Sequence, residues 1–260
     1  MRKKFRHMKI SVITVCYNSA KTIGDTLRSV RAQSHGDIEH IIIDGGSSDN
    51  TLDIIAADGP HVAMLVSERD KGLYDAMNKG LALATGEVVG FLNSDDVFAN
   101  ADVLSEVALV MAEPSIDACY GDLVYVAPDD TGKVIRYWRS QRFVRGLFER
   151  GWVPAHPTFY ARRELYQEFG RFDVSMRLAA DFDMLLRLFV VRGITTTYIP
   201  HVLVRMRLGG ASNESLAHVI RQNVEIARAF RKYGFRVGLK PFVFKLMLRI
   251  SQFIRRPQSP

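Results

Sequence analysis

The stretch "GFLNSDDVF", Gly90 to Phe98, sets Asn93, Asp95 and Asp96 within four positions, directly after a short apolar run. Adjacent carboxylates repel, and a hard divalent cation such as Mg²⁺ or Mn²⁺ is a natural partner for their oxygens. Such a cation keeps one or two carboxylates and takes its other ligands from water and phosphate, so the chemistry on offer is neutralisation of a diphosphate. Three further polar clusters follow apolar runs: Tyr17 and Asn18, Asp44, and Glu68 to Asp70. Each alone has a local explanation. Asp44 and Asp49 can shape the "GGSSDN" turn, and Asp96 can cap a helix near Asp102 to Met111.

The elements around these clusters make turn chemistry alone a poor account of all four. "KISVITVCY" reads as a buried strand, and "TIGDTLRSVRAQ" as an amphipathic helix with Ile23, Leu27 and Val30 on one face. The strand "IEHIIID" comes next, then a helix from Thr51 to about Ala57 and the strand "VAMLVS". The helix "LYDAMNKGLALA" and the strand "EVVGFLN" complete a β-α-β-α-β-α-β order. This alternation predicts an α/β fold with a mostly parallel sheet, helices on both faces, and ligands outside the carboxyl ends of the strands. All four clusters would then meet at one edge. The first strand-to-helix turn, "YNSAKT", carries neither GxGxxG nor GxxxxGK[ST], so holding phosphate falls mainly to the metal.

A carboxylate able to take a proton from an attacking hydroxyl must come from later in the chain. In "RLAADFDMLLRLF", Phe182, Leu185, Leu186 and Phe189 recur at helical spacing, so a buried helix begins near Asp181. The plain reading makes Asp181 its N-cap and lets Asp183 complement the helix dipole. His156, between two prolines in "GWVPAHPTFYARR", could touch phosphate, metal or acceptor, although a lone His is more often structural. "YWRSQRFVRGLFERGW" is either a solvated face or a grip for an acceptor phosphate.

Composition frames these residues. A chain of 260 residues that is 47% apolar and 24% charged folds without staples, and Cys16 and Cys119 have no metal-site or disulfide spacing. No signal-like segment and no run of 18 apolar residues is present, which fits a reducing cytoplasm. The net charge of +7 is unevenly spread: residues 1–9 carry about +5, residues 221–260 about +9 and the body about −7. Nucleic acid is therefore not an expected partner of the body, whereas the ends suit an anionic lipid surface. "FVFKLMLRISQFIRR", between Pro241 and Pro257, reads as an amphipathic helix with Lys245, Arg249, Gln252 and Arg256 on its polar stripe. At ~1.5 Å per residue it spans about 22 Å, short of the ~30 Å hydrocarbon core, so it is expected to lie in the interface. Packing back on the body is the rival expectation.

"SVITVCYN", "IIIDGGSSDNT", "SERDKGLYDAMNKGLALATGE" and "FLNSDD" resemble, in order and spacing, the family 2 glycosyltransferases. The likeness continues more loosely through "HPTFYARREL", "GRFD", "LAADFDMLLRL" and "RLGGAS". The resemblance implies a GT-A fold and inverting transfer of a sugar from a nucleotide-diphosphate donor, usually a UDP-sugar, to an acceptor hydroxyl with Mn²⁺ or Mg²⁺. It implies that Val15 and Tyr17 line the base pocket, that Asp44 accepts from the base, and that Asp95, with Asp96 beside it, holds the metal. Asn18, Asp70, Asn78, Asn93 and Ser94 complete the candidate donor-binding set, and Asp181 matches the general base. Asn93 departs from the common Asp-x-Asp pattern, which implies weaker metal binding. The implied organisation is a basic extension (1–8), a catalytic domain (9–212, with a donor half to 115 and an acceptor half from 116) and a basic helical tail (213–260). The expected acceptor is a lipid-linked or cell-surface glycan precursor, met by a peripheral protein on the inner face of the cytoplasmic membrane. The rivals are a nucleotidyltransferase and a catalytically idle nucleotide-sugar-binding protein.

Overall fold

The structure is a computed structural model and describes residues 8–209 and 216–236. Its first half alternates β1 (Ile10–Cys16), α1 (Ile23–Arg31), β2 (Ile38–Asp44), α2 (Thr51–Asp58), β3 (Val62–Ser67), α3 (Leu73–Leu83) and β4 (Val88–Phe91). β1 pairs in parallel with β2 and β4, and β2 with β3. Period-two alternation sorts the side chains: Ile13, Val15, Ile41 and Ile43 join one core with Met77 and Leu81 of α3. Cys16 and Ile42 face the other way, onto Ile23, Leu27 and Ile55. Helices thus cover both faces, as the sequence requires. Gly80 lets α3 lie close to β1, because a Cβ there would stand 2.4 Å from Cγ2 of Ile13.

The second half extends the same sheet by four antiparallel joins and one parallel join. β5 (Val97–Phe98), α4 (Val103–Met111), β6 (Ala118–Val126), β7 (Val134–Trp138), β8 (Tyr160–Arg162) and α5 (Arg163–Phe169) are followed by α6 (Ala180–Leu186) and β9 (Thr196–Arg207). A π-helical segment, Arg187–Arg192, continues α6. The strand order is β3-β2-β1-β4-β8-β6-β9-β5, with β7 also paired to β6. β8 bridges the halves, antiparallel to both β4 and β6. One sheet therefore runs through the donor and acceptor halves that the sequence separates.

α7 (Leu216–Lys232) falls in the segment assigned to a basic tail, yet it is packed on the body. Ile226, Ala229 and Phe230 are buried, and the Phe230 ring meets Phe182 of α6 at 5.2 Å between centroids. The amphipathic segment between Pro241 and Pro257 lies outside the described residues. No helix among the described residues is long and apolar enough to cross a membrane.

Candidate active site

The carboxyl ends of β1 and β4 open into a cleft of about 490 Å³. Val15, Tyr17, Asp70, Asn93, Ser94, Asp95 and Asp96 all line it, so seven of the candidate residues meet as the alternation predicts. Tyr17 is 64% exposed, leaving its ring face open to a planar ligand. The Ser19 and Ser94 hydroxyls lie 2.9 Å apart and tie the first turn to the acidic one. Asp70 Oδ1 accepts from the Gly72 backbone at 2.8 Å, and a Cβ on Gly45 would come within 2.7 Å of Asp70 Oδ2.

Three further candidate residues, Asn18, Asp44 and Asn78, lie outside the lining of the cleft. Asp44 is fully buried and does not line it. Its carboxylate accepts from the backbone N–H groups of Gly46 (3.1 Å) and Ser47 (2.9 Å) and from the Ser67 hydroxyl (2.7 Å). Those hydrogen bonds outweigh burial and hold its pKa below the usual carboxylate value. These contacts give Asp44 the turn-shaping role. Asn18, at φ +49°, accepts from the Ser48 backbone at 2.9 Å and braces the same turn. Asn78 does not reach the cleft: its amide donates to Phe172 O at 2.9 Å and accepts from Phe172 N at 3.0 Å, fastening α3 to the later loop.

Asp96 is fully buried, and Asn93 Nδ2 donates to its Oδ2 at 3.0 Å. This contact, with Asp96 seven residues before α4, replaces the helix-capping role open to it in sequence. Its Oδ1 is buried with no hydrogen-bond partner among the described residues. Burial first, and then the Asp95 charge, push the Asp96 pKa well above the carboxylate range, and burial raises Asp95 too. An orphaned carboxylate oxygen beside a second acid fits a hard divalent cation, whose charge would reverse both shifts. Among the described residues no three His, Cys, Asp or Glu side chains are grouped to hold a metal. Such a cation would find two carboxylates and the Asn93 amide here, with positions left for water and phosphate, as Mg²⁺ and Mn²⁺ sites commonly have.

Arg207 opens the "RLGGAS" stretch of the family likeness but carried no assigned role, and it lines this cleft. Its guanidinium donates to Asp95 O at 2.7 Å and to Pro128 O at 3.1 Å, and pairs with the Asp25 carboxylate. The end of β9 thereby fixes the acidic turn.

A second cavity of about 260 Å³ adjoins the first, with Leu73, Asn93 and Met206 lining both. Asp181 and His156 line it, as do Trp138 and Trp152. Asp181 stands in the first turn of α6, but Ala179 holds the N-cap position and no side chain caps the helix. The capping explanation for Asp181 therefore fails, and its Oδ1 accepts from the Tyr74 hydroxyl at 3.1 Å. Asp183 is fully buried and binds Lys232 at 3.1 Å, so its part is structural. His156 packs between Phe91 and Phe172, and its Nε2 is buried without a partner among the described residues. Burial lowers its pKa, opposed by the Asp181 charge, and keeps the ring neutral.

The comparisons with known proteins agree with this geometry. The family model described as glycosyl transferase family 2 matches residues 11–178. A "PGL/p-HBAD biosynthesis glycosyltransferase" of Mycobacterium tuberculosis (strain ATCC 25618 / H37Rv) is 35% identical over 210 residues, 78% of each chain. An uncharacterized glycosyltransferase of the same strain is 34% identical over 186 residues, 70% of this chain and 69% of its own. Among solved structures, residues 1–349 of S. aureus TarS in complex with UDP-GlcNAc superpose with a TM-score of 0.65 at 19% identity, covering 94% of this chain and 73% of that one. The mannosyltransferase PcManGT from Pyrobaculum calidifontis, in complex with GDP-Man and Mn²⁺, gives 0.64 at 22% identity, covering 95% and 70%. The fold is thus the GT-A arrangement, and the nucleotidyltransferase alternative falls away. On its sequence match and its architecture together, the chain belongs to glycosyl transferase family 2 and is a glycosyltransferase.

Proposed function

We propose that this glycosyltransferase moves a sugar, with inversion, from a nucleotide-diphosphate donor to an acceptor hydroxyl, and that the donor is a UDP-sugar. The observation that carries the reading is the shared wall of the two cavities: Asn93 lines both the cleft of Asp95 and Asp96 and the chamber of Asp181. A donor seated with its diphosphate at the acids would present its anomeric carbon toward Asp181, across which an acceptor would attack. Val15 and Tyr17 would hold the base, and Asp181 would take the acceptor proton, oriented by Tyr74. A divalent cation on Asp95 and Asp96 would supply charge neutralisation to the leaving diphosphate. The chamber's aromatic walls would exclude water.

Support for a UDP-sugar is the resemblance in motifs together with the donors named for the solved relatives, UDP-GlcNAc and GDP-Man. Support for a lipid-linked acceptor at an anionic membrane surface is the opposition between basic ends and an acidic body.

The test is a panel of UDP-glucose, UDP-galactose, UDP-GlcNAc and GDP-mannose incubated with the protein and Mn²⁺. Release of nucleoside diphosphate from a UDP-sugar, with the product anomer inverted by NMR, supports the reading. Binding without release would leave an idle sugar-nucleotide-binding protein. The chain has two tryptophans, Trp138 and Trp152, and both line the Asp181 chamber, so their fluorescence should respond to acceptor candidates and little to UDP.

A further inference from the structure

α7 does more than close the fold. Glu225 lies on it, 44 residues after Asp181 in the chain, and receives three consecutive backbone N–H groups. Arg177 N donates to Oε1 at 3.0 Å, and Leu178 N and Ala179 N donate to Oε2 at 2.8 and 2.9 Å. These donors sit immediately before α6, at the end where orphan N–H groups and the helix dipole both favour a carboxylate. Thus the cap that α6 lacks from its own sequence is supplied by α7.

Seven residues on, about 10 Å along the helix, Lys232 makes a second hold. Its ammonium donates to Asp183 at 3.1 Å and to Asp173 at 2.9 Å. Burial alone would lower the Lys232 pKa, but these two acids raise it, so the charge persists. The Tyr233 hydroxyl also donates to Asp183, at 3.3 Å. Between the two holds, Ile226 and Phe230 are buried, and Ile226 lines the Asp181 chamber. Asp181 is therefore fixed from both sides, with Ala179 two residues before it and Asp183 two residues after.

We infer that α7 is the clamp that aims Asp181, with Glu225 as its positioning residue, so that the start of the segment read as a tail belongs to the machinery of transfer. The inference rests on the proposed role of Asp181 as general base. A carboxylate displaced by even 1 Å loses the geometry that proton transfer requires, a loss of ~10²-fold in comparable cases.

The experiment is a double-mutant cycle on the full chain, read as UDP release from UDP-GlcNAc or whichever panel donor is turned over fastest, with water as acceptor. Glu225→Gln keeps size and leaves one carbonyl oxygen for three donors. It should lower kcat about tenfold or more, leave UDP affinity within about twofold, and speed amide hydrogen exchange at residues 177–181. Added to Asp181→Asn, it should lower the rate little further, because its effect passes through Asp181. Glu225→Gln with wild-type rate or wild-type exchange at 177–181 would overturn the clamp, as would losses that simply multiply in the double variant. If rates in the Asp181→Asn background are too low to compare, the single variant's kcat and exchange decide the matter. Full activity in Asp181→Asn alone would instead remove the general-base reading, and is seen separately from any effect of Glu225.

Discussion

The Tyr74 hydroxyl of α3 donates to the Asp181 carboxylate of α6 across 3.1 Å, joining the donor half of the chain to the acceptor half. Burial and the Asp181 charge raise the Tyr74 pKa well above that of a free phenol, so the hydroxyl keeps its proton and its donor role. Tyr74→Phe should lower kcat about fivefold, the worth of ~1 kcal/mol of hydrogen bond, with donor KM unchanged. Steady-state kinetics on the donor panel measures both. A raised KM with intact kcat would place Tyr74 in donor binding instead.

Asp181→Asn cannot accept a proton but keeps the side-chain size and a carbonyl oxygen for Tyr74. Turnover should fall by roughly 10² to 10⁴, while UDP binds as before. Thermal stability should hold, since Glu225 rather than Asp181 satisfies the amides just before α6. Calorimetry of UDP binding beside the rate assay checks this, and undiminished turnover would refute the assignment.

Asp95→Ala should abolish transfer without unfolding the chain, because Asp95 is held in the fold by its backbone carbonyl, which Arg207 engages. Electron paramagnetic resonance should show weakened Mn²⁺ binding in this variant, and EDTA should silence the wild type. Activity that survives both treatments would exclude a metal role for this residue.

Arg207→Ala removes three contacts at once, made by the guanidinium of a residue that is 7% exposed and linking β9 to the acidic turn, to Pro128 and to α1. Urea denaturation should show a loss on the order of 2–3 kcal/mol, the scale for charged hydrogen bonds left unmade. UDP affinity should fall with it. A variant as stable as wild type would show that the turn holds its shape unaided.

His40 is fully buried, with its Nε2 2.9 Å from the Thr14 hydroxyl and its Nδ1 3.2 Å from His61. Burial, aided by the His61 charge, lowers its pKa to about 3. The folded chain therefore stays unprotonated here while the unfolded chain takes up a proton below about pH 6.5. Stability should be independent of this group above that pH and should fall below it, by about 1.4 kcal/mol per pH unit at the steepest. Comparing denaturation at pH 7 and 5.5, His40→Gln should show the weaker pH dependence. Equal dependence in both proteins would contradict the assignment.

The sequence by itself determined the alternating half of the fold and the edge at which its polar residues gather. Apolar periodicity and strand-end punctuation are local signals, and β1, β2 and β4 bury every or nearly every residue, so their pattern carries over directly. Tyr17, Asp70, Asn93 and Asp95 could be grouped because parallel strands have only one carboxyl edge. The local turn contacts of Asp44 were legible in sequence, but its bond to Ser67 and the contacts of Asn18 with Ser48 and of Asn78 with Phe172 appear only in three dimensions, since these partners lie 23, 30 and 94 residues away. The part played by Arg207, although it opens the quoted "RLGGAS", and by Glu225 was hidden for the same reason: each acts on backbone groups, which every residue carries and no motif marks. The sequence could equally read Asp181 as a helix cap or as a base, because both roles ask for a carboxylate at the start of a helix. Tertiary structure removes the cap reading by placing Ala179 at the cap position and Glu225 on the free amides, and it sets the Asp181 carboxylate beside Tyr74 at the wall of a cavity, where the proposed base would have to stand.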